Sequence, residues 1–113
     1  MSAEIPTVEP KELVIGASWT WKRTLDDFPT DDWTLTYRLI PITGTVIAFS
    51  AADSGGDHLV YVSAATTAGY ASGNYLMVGS VMDGDDRHEV YRDDVVVIPN
   101  PAGGTAYDYR TYW

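Results

Sequence analysis

An all-β fold is what the sequence predicts, and three observations carry the prediction. Short β-rich runs recur along the 113 residues, and apolar and polar residues alternate within the clearest of them. Clusters of Gly, Pro and Asp separate these runs. No segment sustains the period of a long helix.

Residues 1–11 read as an extended N-terminal arm. Pro6 and Pro10 each fix φ and remove a backbone donor, which disfavours helix and central strand. "SWTWKRTL" (18–25) alternates, with Trp19 and Trp21 on one face and Thr20 and Lys22 on the other. "DDFPTDD" (26–32) is a turn-rich loop. "WTLTYRLI" (33–40) is the clearest strand: Trp33, Leu35, Tyr37 and Leu39 share one face, Thr34, Thr36 and Arg38 the other, and Pro41 ends it. "TVIAFSA" (45–51) follows Gly44 as another β-rich run. "DSGGD" (53–57) is a turn by composition, and "HLVYVSA" (58–64) is the next strand.

In "TTAGYASGNY" (66–75) a helical turn competes. Thr66 or Thr67 is expected to cap a short turn through residues 68–71, with Gly73 restarting extended structure. "NYLMVGSVM" (74–82) is apolar at almost every position, as expected of a central strand. "DGDD" (83–86) predicts a hairpin turn of type I′. "RHEVYRDD" (87–94) and "VVVIP" (95–99) finish the set, and "NPAGG" (100–104) is a breaker-rich hinge.

The runs number about seven, at the spacing expected of a sandwich. They predict an immunoglobulin-like antiparallel β-sandwich over residues 12–101, flanked by the arm and by a C-terminal tail, residues 102–113. Tyr75, two residues after Gly73, sits where such sandwiches place a tyrosine that bonds back to the preceding corner. The two cysteines of an antibody domain are missing.

Composition narrows the function. Without cysteine there are no disulfides, zinc–thiolate sites or thiol nucleophiles. Sixteen acids against seven bases give a formal net charge of -9, which argues against nucleic-acid binding and favours basic partner surfaces. "MSAEIPTVEP" lacks the basic and apolar regions of a signal peptide, and no apolar run reaches the length of a membrane span. A soluble protein without a membrane partner is expected.

Catalytic chemistry finds little to build on. His58 and His88 each lie beside acids, but neither HxH nor HExxH spacing is present, and both are expected to be ordinary surface histidines. "DDFPTDD" and "DGDDRHE" resemble calcium loops in composition without the alternating register that supplies ligands. No phosphate loop or nucleophile elbow appears. The expectation is no enzyme, no metal and no cofactor. Four Trp and eight Tyr leave a carbohydrate-binding platform as an alternative, although alternation turns most of the strand aromatics inward.

The stretch "SWTWKRTLDDFPTDDWTLTYRL" resembles a family of small tailed-phage virion proteins whose N-terminal domain carries "TWTRSLPDYPASDGWTLTYxL". Trp19 and Trp21 stand at "TWTR", with Arg23 one place on from the family's Arg. Leu25, Asp27 and Pro29 stand at "LPDYP", with Phe28 for its Tyr, and residues 33–37 reproduce "WTLTY". "GGDHLVYVSAATTAGYASGNY" (55–75) follows a second family segment, "GDDHLVTVxAATTAxWAAGTY". "DDRHEV" and "VVVIPNP" follow its hairpin and Val-rich strand, and "YDYRTYW" (107–113) stands where "YDxRS" begins.

The resemblance spans roughly residues 13–113 and also extends to the immunoglobulin-like attachment domains of phage baseplates. It implies a structural protein located in the virion, with portal, neck, capsid or tail-ring proteins as partners and symmetry imposed by the assembly. Many family members continue into a helical head-completion module, which this sequence does not. A tail or baseplate adaptor, or a receptor-binding accessory, is the nearest alternative.

The tail "AYDYRTYW" follows a Pro stop and a Gly-Gly hinge, after the domain is complete by pattern. Tyr107, Tyr109, Arg110, Tyr112 and Trp113 are residue types suited to interface anchors. They are expected to form a docking segment, ordered only in the assembly.

Overall fold

The structure, a computed structural model, describes residues 6–99. Among them the chain forms β1 (Glu12–Val14), β2 (Trp19–Arg23), β3 (Thr34–Pro41), β4 (Ile47–Ser50), β5 (Ala52–Ser54), β6 (Asp57–Val62), α1 (Ala64–Thr67), β7 (Gly73–Asp83) and β8 (Asp86–Ile98). The fold is all-β and built of two sheets: one of five strands in the order β1-β8-β7-β3-β4, and one of three in the order β2-β6-β5. The larger sheet curls into a half-barrel.

Period-2 patterning explains how the sheets meet. Trp19 and Trp21 on β2, Leu35, Tyr37 and Leu39 on β3, Val60 and Val62 on β6, Tyr75, Met77 and Val81 on β7, and Val95 and Val97 on β8 all turn into one buried cluster. Trp21 and Tyr37 lie at its centre, fully buried, with ring centroids 5.2 Å apart in an edge-to-face arrangement. A buried ring of that size removes on the order of 200 Å² from water and contributes several kcal/mol before conformational entropy is subtracted. Close packing here demands a glycine: a Cβ on Gly79 would stand 2.9 Å from a Tyr37 ring carbon.

The strand count is eight among the described residues, where the sequence suggested about seven. β1 and β5 are extra, each three residues long, and the two runs at 87–94 and 95–99 are one strand, β8. A register shift at Gly79/Ser80 lets β8 stay paired to β7 from Asp86 to Val97. The pairing is also not wholly antiparallel, because β1 runs parallel to β8. Two local expectations change as well. The helical turn is Ala64–Thr67 rather than 68–71, capped by the Ser63 side chain, which accepts from the Thr66 N–H. The hairpin between Asp83 and Asp86 has positive φ at Gly84 (60°) and at no non-glycine residue, so its central pair fits a type II′ turn rather than type I′.

The described part of the arm is anchored to both sheets. The Pro6 carbonyl accepts from Lys22 N–H of β2 (2.9 Å), and five residues later the Lys11 carbonyl accepts from Val96 N–H of β8 (3.1 Å). Between them Glu9 is 6% exposed, although it is a carboxylate. Its Oε2 accepts from the Arg23 guanidinium of β2 and from the Tyr37 hydroxyl of β3. A buried charge persists only where it is paired and hydrogen-bonded, and this one is held from one sheet by the cation and from the other by the phenol. Burial, above all, raises the Tyr37 pKa well beyond the ordinary tyrosine range, with the nearby Trp21 indole N–H opposing it. That N–H makes no hydrogen bond of good geometry among the described residues.

Candidate functional site: an uncharged groove at the end where β8 leaves the sheet

Strand directions give the sandwich two chemically distinct ends. β2 runs out and β6 and β3 begin at one of them, as the pairs Arg23↔His58 and Thr34↔Met82 show, and the Asp83↔Asp86 hairpin closes there too. Asp26, Asp27, Asp31, Asp32, Asp53, Asp57, Asp83, Asp85 and Asp86 gather on these loops and strand ends, nine of the chain's sixteen acids. The loop at 24–33 is tied down by side chains. The Thr24 hydroxyl donates to Asp57 (2.6 Å) and the Thr30 hydroxyl to Asp53 (2.7 Å). Asp53 also accepts from Gly56 N–H (3.0 Å), and these bonds, Thr30's first, hold its pKa below the usual carboxylate range.

His58 belongs to this framework and corrects an expectation. It is not a surface residue: it is 2% exposed, and its Nε2 lies 2.7 Å from the Phe28 carbonyl. A carbonyl only accepts, so Nε2 carries the proton and the ring pins the 24–33 loop to β6. His88 is exposed on the hairpin, its ring 5.6 Å from Phe28 and 5.5 Å from Trp33. The two histidines therefore play separate packing roles. Among the described residues no three His, Cys, Asp or Glu side chains converge as a metal-holding group.

Among the described residues the opposite end carries no charged side chain. Residues 41–48, from the end of β3 into β4, and 69–75, from the α1–β7 loop into β7, line an open groove of about 970 Å³. Not one of these residues is acidic or basic, in a chain with twenty-three such side chains. Ile42 stands at the rim 93% exposed, with Ile40 and Val46 more than a third exposed nearby. Isolated surface apolar residues are ordinary, but a cluster around a concavity marks a contact surface.

The wall of the groove is fixed by a bond that the sequence anticipated. Tyr75 is buried, and its hydroxyl donates to the Ala71 carbonyl at 2.6 Å, four residues back across the corner. Behind the loop, Tyr70 packs on Trp19 with centroids 5.3 Å apart. Replacing Tyr75 with Phe is expected to cost about 1 kcal/mol, the net value of one such bond, with the orphaned Ala71 carbonyl adding to it. Urea unfolding of the two proteins, with equal m-values, checks this.

The anchors expected from the sequence, Tyr107, Tyr109, Arg110, Tyr112 and Trp113, lie outside the described residues. What the structure does place is the point from which they depart. Val97 of β8 is opposite Gly73, a residue of the groove wall, so Pro99 leaves the sheet beside the groove. The groove itself joins segments about thirty residues apart, and only Ile42, an apolar residue in a Pro/Gly-bounded turn, hints at it in the sequence. Trp19 and Trp21 are core residues, at 3% and 0% exposure, so neither offers a face to a sugar. No helix among the described residues is long and apolar enough to cross a membrane.

No protein-family model matches the chain, and no curated protein matches it.

Proposed function

We propose that the chain is a non-catalytic β-sandwich of immunoglobulin-like topology that serves as a structural protein of a tailed-phage virion. It docks on the head–tail neck or capsid through its terminal segments. The topology supports the first part. With β2 to β8 taken as strands B, C, C′, D, E, F and G, the sheets read G-F-C-C′ and B-E-D, the division of a variable-type sandwich. The Tyr75–Ala71 bond stands at the E–F corner, and Met77 stands two residues on, where antibody domains carry their second inter-sheet cysteine. The packed Trp21–Tyr37 pair supplies the inter-sheet core in a chain without cysteine.

The single observation that carries an interface role is the polarity of the two ends. An acidic loop end faces away from an uncharged groove, and the groove adjoins the point where the aromatic tail departs. The phage setting rests on the ordered motif resemblance across residues 13–113. Mass spectrometry of particles purified from a phage whose genome encodes the chain tests it. Stoichiometric recovery in particles is expected, and recovery only from the lysate would sink the virion reading. A tail or baseplate position remains the rival, and a C-terminal label imaged on the particle separates tail from neck.

A further inference from the structure

We propose that the uncharged groove is the seat of this chain's own C-terminal aromatic segment, residues 105–113. The idea deepens the interface reading and rests on it only in treating that segment as a docking element. No virion is needed to test it, so the two readings fail separately.

Three observations carry the assignment. The first is position. Pro99 follows the β8 residues that pair with Gly73, so the chain departs one strand spacing from the groove wall. The groove reaches from β7 across β3 to β4, which places its far side roughly 15 Å from β8 at the usual spacing between strands. The eight steps from Pro99 to Tyr107 span up to about 26 Å when extended. Gly103 and Gly104 allow the chain to reverse on the way. A tether of that length holds the segment at millimolar effective concentration, well above that of any dilute partner.

The second is chemistry. The groove presents Ile42, Val46, Tyr70 and Ala71 and no charge. Residues 105–113 contribute three Tyr, one Trp and a single Asp–Arg pair of zero net charge. Aromatic residues of this kind seat in apolar concavities and keep a polar tip at the rim, where Thr43, Thr45 and Asn74 stand ready. A basic partner would instead be drawn to the acidic end. The third observation is the exposure of Ile42, a large apolar side chain left 93% open at the mouth of the groove by everything the structure describes.

Methyl NMR of the intact chain tests the proposal. Nuclear Overhauser contacts are expected between the Ile42 and Val46 methyls and the rings of Tyr109, Tyr112 or Trp113, and they should persist unchanged over about a tenfold dilution. Absence of such contacts would overturn the assignment. So would contacts that fade on dilution, which would give the groove to a neighbouring copy. Ile42→Asp supplies a second readout, since so exposed a position leaves the core intact. Trypsin cleavage after Arg110 should then accelerate about fivefold, because cleavage follows the open population. Equal rates in the two proteins would also refute it.

Discussion

Replacing Arg23 with methionine is expected to lower the unfolding free energy by about 3 kcal/mol. The reason is what the substitution leaves behind. Glu9 keeps its carboxylate at the seam between the sheets, its side chain 2% exposed, with the Tyr37 hydroxyl (2.8 Å) as its remaining partner. Removing one member of a buried pair costs about 3–5 kcal/mol. The lower end applies because the Arg23 side chain is itself 25% exposed and water reaches it. Adding Glu9→Gln should restore much of the loss, since an amide can accept from Tyr37 without a charge to desolvate. The double-mutant cycle in urea isolates the pairing from simple truncation. Additive costs would mean that the arm is held by its backbone bonds to Lys22 and Val96 alone.

Deleting residues 105–113 is expected to abolish incorporation into particles while lowering stability by no more than about 1 kcal/mol. Among the described residues the cluster around Trp21 and Tyr37 is assembled from residues 13–97, a core large enough to fold on its own. A tethered segment held weakly at millimolar effective concentration adds little to the folded state. On this account the groove holds the tail in the free protein and the particle takes it over. Thermal unfolding and particle proteomics of the truncated chain report the two effects separately. A loss of several kcal/mol would make the segment part of the core.

Much of the fold was legible because alternation is a strong signal wherever one face is buried. Leu35, Tyr37 and Leu39, and Trp19 and Trp21, were assigned to their faces by period alone and lie there. The same rule applied to "HLVYV" puts His58 in line with Val60 and Val62, so its burial was readable, and its polarity concealed it. β1 and β5 were missed because three residues contain too little period to register. β8 looked divided at Asp93 and Asp94, yet Asp93 pairs with Lys11 on the neighbouring arm, a contact 82 residues distant in sequence. Glu9 has no local signal either. Its partners lie 14 and 28 residues on, and nothing in "TVEPKE" announces a buried charge. The groove was hidden for the same reason, being a product of tertiary structure.

The most direct test of the central claim, attachment to a virion through the C-terminal segment, is cryo-electron microscopy of particles carrying the intact chain. Reconstruction should show the two-sheet sandwich at the neck or capsid, joined to its partner by density continuous with residues 105–113. Particles without this density, or a sandwich attached by its acidic loop end with the C-terminal segment facing solvent, would contradict it.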